Sequence, residues 1–564
     1  MLEKISSKQP YLLKTIKHAI FPLLAYLLIF CLLTYPLILK FFTHFFTDNG
    51  DGLQNVWNLW WVDLAVRRPD LYPTIWQTSL IHWPFGTSLL GQTLNPFNGF
   101  LALLFHRSLS LTARFNLILV FSFVMGGITM YWLSYYLTNS FWGSFIAGFI
   151  FTFSNYHFSH AQGHLNLVAL EWIPLFVLCW YSLIIKPHAA KATSAAIVLW
   201  LVLLCDYYYF FYCFLIAILI VIWYAAITRN IWFLVAKSHF LPIATFAVIT
   251  LLLIMPVIGP LLLSNVRDPL MDSHDPTSYS LDLLALFIPG GNWLFNRLTQ
   301  FYWSRLPGNI SESSVYLGLS VYVIMGYTWV KRKTLDLISR QQIYLWLLTI
   351  GFFLILALGP AFQIGGRIIW DKAMPYSLLV DIFPPLKLSG VPVRMMVMVV
   401  LGASALSAIG FRELFRQFPN RKIFTIVLLA VLIFETLPKP LPANRIEVPD
   451  YVTALAGLPN DGGVVDQVTK GLSLPLYYQT IHGKPITFGY VSRLPTSVFL
   501  EDSYLTETIN NRDYGKLWAT YHIRYIITQD TLQSRPKQPY ITIQAVYDQN
   551  GIRIYRIGCV CEGK

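Results

Sequence analysis

Asp48-Asn49-Gly50-Asp51-Gly52 follows the first apolar run of the chain and leads into Leu53-Gln54-Asn55-Val56-Trp57-Asn58-Leu59-Trp60-Trp61. Two carboxylates share a glycine-rich turn between a hydrophobic segment and an aromatic, helix-like one. The run before the turn, Ala19 to Leu39, is long enough to cross a bilayer core of about 30 Å. No small-residue cleavage site clearly ends it, so it reads as a retained span rather than a signal peptide. Lys4, Lys8, Lys14 and Lys17 precede it and are expected to hold the N-terminus in the cytoplasm. The turn is then expected on the outer face.

Working outward, the rest of the chain has the same character. Of its 564 residues 55% are hydrophobic and only 12% charged, against about 25% charged in soluble domains. Apolar runs near 20 residues recur. They are continuous rather than alternating, which points to helices and not to a barrel. The formal charge of +13 does not imply a nucleic-acid partner, because most Lys and Arg fall in short loops between spans. Cys31, Cys179, Cys205 and Cys213 lie in or beside apolar spans and read as small buried hydrophobes. Cys559 and Cys561 form a Cys-x-Cys pair, weak evidence for a metal or a disulfide.

Spans are expected at about 18–40, 114–137, 141–157, 167–185, 192–209, 211–228, 240–263, 314–330, 343–361, 393–411 and 423–438. This places Lys186 with Lys191, Arg229 with Lys237, Lys331-Arg332-Lys333 with Arg340, and Arg412, Arg416, Arg421 and Lys422 all inside. Phe100–Phe105 is too short to cross, so 41–111 reads as one large outer loop whose helices lie in the interface. Composition changes at Pro438, Pro440 and Pro442. The chain thus divides into a membrane domain, 1–440, and a small extracytoplasmic α/β domain, 441–564. In the latter, Gly462-Gly463-Val464-Val465-Asp466 and Tyr525-Ile526-Ile527-Thr528 read as strands. The expected class is an α-helical polytopic membrane protein of about eleven spans, multi-pass in a bacterial plasma membrane.

This topology gathers polar residues at the outer face: Asp48, Asp51, His82, His160, His164, Asn166, Glu171, Asp206, Glu312 and Arg394. Asp51 leads, with Asp48 as companion. A carboxylate there can act as a general base toward a hydroxyl or ligate a divalent cation, although Asp-Asn-Gly-Asp-Gly is equally the chemistry of a solvated turn. Should Mg or Mn be used, Asp51 and His164 are the expected ligands. His157, His160 and His164 are spaced to share one face of a helix, which suits a metal or a proton. Glu171, inside a span, needs a partner. Arg394 suits a lipid-linked phosphate, through its bidentate fork, and Glu312 is a weaker candidate. No phosphate loop, dinucleotide fingerprint or zinc-protease motif is present, which argues against a cytoplasmic ATP-driven pump.

Several stretches carry a resemblance. Gly50-Asp51-Gly52-Leu53 with Asn55 and Trp57, Tyr156-His157-Phe158 through Gly163-His164-Leu165-Asn166, and Trp172-Ile173-Pro174-Leu175 are three of them. Tyr316-Leu317-Gly318, Val391-Pro392-Val393-Arg394 and Tyr478 through Pro485 are the others. Together they resemble bacterial glycosyltransferase-like membrane proteins of the GT-C fold. More distantly, the plan is similar to oligosaccharyltransferases and to aminoarabinose or mannosyl transferases. The resemblance implies a polyprenyl-phosphate sugar donor, a lipid or glycan acceptor, Asp51 as the residue that deprotonates or orients the acceptor, and Arg394 on the donor phosphate. It implies further site residues in the second outer loop. Where oligosaccharyltransferases carry carboxylates there, this chain has His160, His164 and Asn166. A transporter or flippase of a lipid-linked glycan, or a polysaccharide ligase or polymerase, would share the outer loops. Spans 240–263 and 343–361 hold no Asp, Glu, Lys, Arg or His, which argues against a transporter.

Overall fold

The computed structural model describes residues 16–271, 274–388, 390–417, 421–533 and 540–560. Lys4, Lys8, Lys14 and Cys561 lie outside them. The chain forms two compact units. One comprises Met1–Lys40, Asn116–Ile254 and Ser273–Leu441; the other comprises Phe41–Phe115, Met255–Asp272 and Pro442–Lys564. The expected division at 440/441 left 41–111 with the membrane domain, whereas the structure groups this segment with the C-terminal residues.

Among the described residues, five helices are long and apolar enough to cross a membrane: Leu111–Thr138, Tyr207–Thr228, Lys237–Arg267, Leu337–Ala357 and the run Pro392–Gln417. The protein is an integral membrane protein on this evidence. Lys237–Arg267 exposes apolar side chains such as Val248 and Leu252 along its length, a surface suited to lipid and costly in water. Several expected spans are shorter than 18 residues. The first is helical from Ile16 to Leu33, a π-helical turn running into an α-helix, and the third breaks after Phe141–Thr152.

The first unit is built around Met396–Gln417. It packs against Leu337–Ala357, Phe141–Thr152 and Leu319–Lys331, and is buried from Met396 through Phe411. Small residues permit the close approach. A Cβ on Gly410 would sit 2.1 Å from Thr328 Oγ1, so only glycine lets these two backbones meet. Trp172–Ile185 packs on Ala189–Cys205 and Tyr207–Thr228. Where helices end and restart at one end of this bundle, polar side chains collect. Broken helices at membrane depth are tolerated where protein covers the freed backbone groups.

The second unit contains a four-stranded sheet ordered Gly463–Asp466, Ile523–Thr528, Ile552–Cys559, Ile541–Gln549. The first pair is parallel and the others antiparallel. The first two strands are the expected ones; the hairpin of the last two was not anticipated. Asp51–Arg67 is a core helix of this unit rather than an interfacial one. Twelve of its 17 residues are buried, and Trp57 and Trp61 stack 5.9 Å apart within the cluster that includes Tyr451, Leu476 and Tyr525. Its polar face is also spoken for. Trp57 Nε1 donates to Gln479 Oε1 (2.7 Å), Gln54 to Ser492 Oγ (3.1 Å) and Asn58 to the Thr93 carbonyl (2.9 Å). Buried amides hold their position only when so paired, and these pairs cancel the need for an interface.

Candidate active site

In the first unit, one end of the bundle assembles the candidate site from separate segments. Ser154 caps the short helix Asn155–His160. Within it His157 is held between the Thr152 and Val168 carbonyls, at 2.7 and 2.9 Å, and stacks on Phe123 at 3.8 Å. His157 therefore fastens this turn. The helix ends at His160, and His164 follows a turn as the residue before Leu165–Val168. The three histidines accordingly do not share one helix face, because a three-residue turn intervenes. His160 and His164 meet edge to face, ring centres 5.7 Å apart.

His160 is fully buried and its Nε2 stands 3.7 Å from Glu312 Oε2. Glu312, 3% exposed, belongs to the turn Ile310–Ser313 capped by Asn309. Its Oε1 accepts from both Nε (2.8 Å) and Nη2 (2.5 Å) of Arg394, while Oε2 accepts no hydrogen bond. Burial alone would raise the Glu312 carboxyl, but the Arg394 charge overrides it and brings it down to about 2. Burial pushes His160 down to about 3, so its ring is neutral at pH 7. Arg394 is 7% exposed, in the turn Pro392–Met395 that starts the central helix, and lies over the Tyr208 ring at 5.4 Å. Arg394 is thus held in a buried ion pair, and Glu312 is promoted from weaker candidate to its direct partner.

Asn166 and Asp206 are joined here too. Asp206 Oδ1 caps Tyr207–Thr228 by accepting from the Tyr208 and Tyr209 amides (2.8 and 3.1 Å), and Oδ2 accepts from Asn166 Nδ2 (2.8 Å). Tyr156 and Tyr209 hydroxyls meet at 3.0 Å. Neither hydroxyl is among the candidate site groups read from the sequence. Glu171 is fully buried, with the Ser122 side chain beside its carboxyl. The cavity beside Glu312, lined by Asp282, Asn309 and Gln363, has about 10 Å³ for the centre of a water, room for one water and not a sugar.

The second unit holds Asp48 and Asp51. Asp48 Oδ1 accepts from the Gly50 and Gly52 amides at 3.0 and 2.9 Å, so it caps the helix that Asp51 begins. A Cβ on Gly52 would lie 2.0 Å from Thr47 Oγ1, which fixes glycine there. Asp51 is half-buried at the helix start, where the helix dipole favours a carboxylate. His82 belongs to this unit and pairs through Nδ1 with Asp502 (2.7 Å).

Among the described residues, no group of three His, Cys, Asp or Glu side chains is arranged to hold a metal ion. Asp51 and His164, the expected ligands, belong to different units. No step below runs through a divalent cation.

The family described as Domain of unknown function (DUF6311) matches residues 23–435. The chain belongs to the DUF6311 family. A search of the curated proteins finds no match. Among solved structures, the DUF6311 chain resembles the mycobacterial arabinofuranosyltransferase AftD at 14% identity and a TM-score of 0.52, over 95% of this chain and 41% of that one. It thus spans less than half of AftD. It also resembles ArnT from Cupriavidus metallidurans in the apo state, at 10% identity and a TM-score of 0.45 over 96% and 98% of the two chains. A third is the Archaeoglobus fulgidus oligosaccharyltransferase AglB, determined with an inhibitory peptide and a dolichol-phosphate. There the identity is 12% and the TM-score 0.44, over 90% and 69%. These neighbours are GT-C glycosyltransferases, and the likeness to AftD gives the DUF6311 chain the GT-C fold.

Proposed function

We propose that this protein is a membrane glycosyltransferase that moves a sugar from a polyprenyl-phosphate-linked donor to an acceptor hydroxyl at the outer face. The observation that carries the reading is Arg394: a buried guanidinium at a bundle end, in a GT-C fold, held side-on by one oxygen of Glu312. Such a preorganised charge in a dry site stabilises a phosphate that gains charge as the glycosidic bond breaks. In the reaction the sugar C1–O bond to phosphate breaks and a C1–O bond to the acceptor forms. The polyprenyl phosphate leaves with the bonding electrons. Arg394 stabilises that leaving group; Glu312 and His160 orient Arg394, and His164, Asn166 and Glu171 line the binding region.

Asp51 is assigned the acceptor proton. Asp48 Oδ1 accepts two backbone amides of the turn, which supports Asp51 as the chemical member of the pair. The charge pattern supports about eleven spans, a cytoplasmic N-terminus and an extracytoplasmic C-terminal domain. A flippase is the second reading; the pairing of Arg394 with Glu312 at a bundle end rather than mid-span favours transfer.

The test is transfer of labelled sugar from a polyprenyl-phosphate donor by the purified full chain in lipid vesicles. Arg394→Lys, which keeps the charge and loses the fork, is expected to lower transfer by roughly a hundredfold while folding is retained. Equal transfer by this variant and the parent protein would remove Arg394 from the reaction.

A further inference from the structure

The opposite end of the same bundle carries a second polar recess. The central helix runs from Met396 to Gln417, so Arg412 and Arg416 stand roughly 30 Å from Arg394 by helical rise. They line an open cavity of about 510 Å³ with Thr138, Asn139, Ser140, Phe141, Trp142 and Phe415, a volume typical of small-ligand sites. Three features of this recess favour an anion. Arg412 is anchored by Nη2 to Ser339 Oγ (2.8 Å), with Asp336 at 3.6 Å, and its Nε is buried without a hydrogen bond. Arg416 is 63% exposed, with Glu413 at 3.5 Å. The 12-residue helix Phe141–Thr152 opens here, capped by Ser140, and its N-terminus adds partial positive charge.

We infer that this recess binds the phosphate of an anionic phospholipid headgroup, a site separate from the transferase reading and independent of it. The two arginines supply planar donors for phosphate oxygens. Phe141, Trp142 and Phe415 supply an apolar wall for the glycerol and upper acyl chains, as aromatic rings do at membrane interfaces. Asp336 and Glu413 offset part of the charge, and Asp336 holds Arg412 in place.

The test is lipid retention by the full chain, purified in detergent with equal phosphatidylglycerol and phosphatidylcholine and read by native mass spectrometry. Preferential retention of phosphatidylglycerol is expected. Arg416→Gln, at an exposed position that does not threaten folding, should weaken that preference roughly tenfold, the equivalent of one charge-assisted hydrogen bond. Arg412→Lys should weaken it too while keeping the charge. Inorganic phosphate that displaces the retained lipid supports recognition of the phosphate itself. Inorganic phosphate that stabilises lipid-free protein, with the same arginine dependence, assigns the site to soluble phosphate instead of lipid and overturns the headgroup. Equal retention of the two lipids, or an unchanged preference in both variants, overturns the site.

Discussion

Asp63 and Glu312 are both buried carboxylates paired with arginine, and they are finished differently. Asp63, 1% exposed in the second unit, gives Oδ1 to Arg67 and Oδ2 to His106 and Arg114, all at 2.7 Å. Every oxygen is occupied, and three positive or polarised donors surround one charge. Glu312 in the first unit spends Oε1 on Arg394 and leaves Oε2 without a hydrogen bond, opposite a neutral His160. A saturated buried ion cluster holds structure; an unsaturated one is the kind kept for chemistry. The contrast separates a brace from a candidate site by counting acceptors, with no appeal to sequence motifs.

The largest expected effect is on the brace. Asp63→Ala strands Arg114 in a buried position and should cost about 3–5 kcal/mol, read as lost protection in hydrogen exchange across Asp51–Arg67. Next comes Asp51→Asn, which should abolish measurable transfer while thermal unfolding stays within ~0.5 kcal/mol of the parent. A comparable loss of stability would return Asp51 to a structural role. Asp48→Ala sharpens this from the other side: loss of a cap should cost about 1 kcal/mol and leave transfer proportionate to folded protein.

The smallest effect is in the pH dependence. Burial pushes the Asp63 carboxyl up, but Arg114, Arg67 and His106 together hold it below its ordinary value of 3.8. A depressed folded pKa means the stabilisation is fully present above the unfolded value and disappears as pH falls through the folded one. The stability gap between the parent and Asp63→Asn should therefore be constant above about pH 5 and close below pH 4. His160 and Glu312, brought down to about 3 and about 2, should not titrate between pH 5 and 8. A pH profile of transfer with a limb in that range would need another group.

The helices were legible because an apolar run of bilayer length has few other uses, and the strands at Gly463–Asp466 and Ile523–Thr528 because β-branched runs sit between turn residues. The polar residues at the bundle end were legible as a set, through topology. Their pairing was not: Arg394 and Glu312 are 82 residues apart, and Arg114 meets Asp63 across 51. Only Asp63 with Arg67 had a local signal, the i,i+4 spacing of a helical ion pair. The burial of Asp51–Arg67 was hidden because its partners Gln479 and Ser492 come more than 400 residues later. Spacing misled for His157, His160 and His164, where a turn interrupts the helix that periodicity assumed.

The central claim is that the Arg394 cluster serves sugar transfer from a lipid-linked donor. It is tested most directly by comparing surface glycans and lipid-linked sugars in cells lacking the protein, complemented with the parent chain or with Arg394→Lys. The account predicts that one lipid-linked sugar accumulates and one glycan component disappears, that the parent chain reverses both, and that the variant, inserted at equal level, reverses neither. Unchanged sugar pools and surface glycans in the absence of the protein would contradict it.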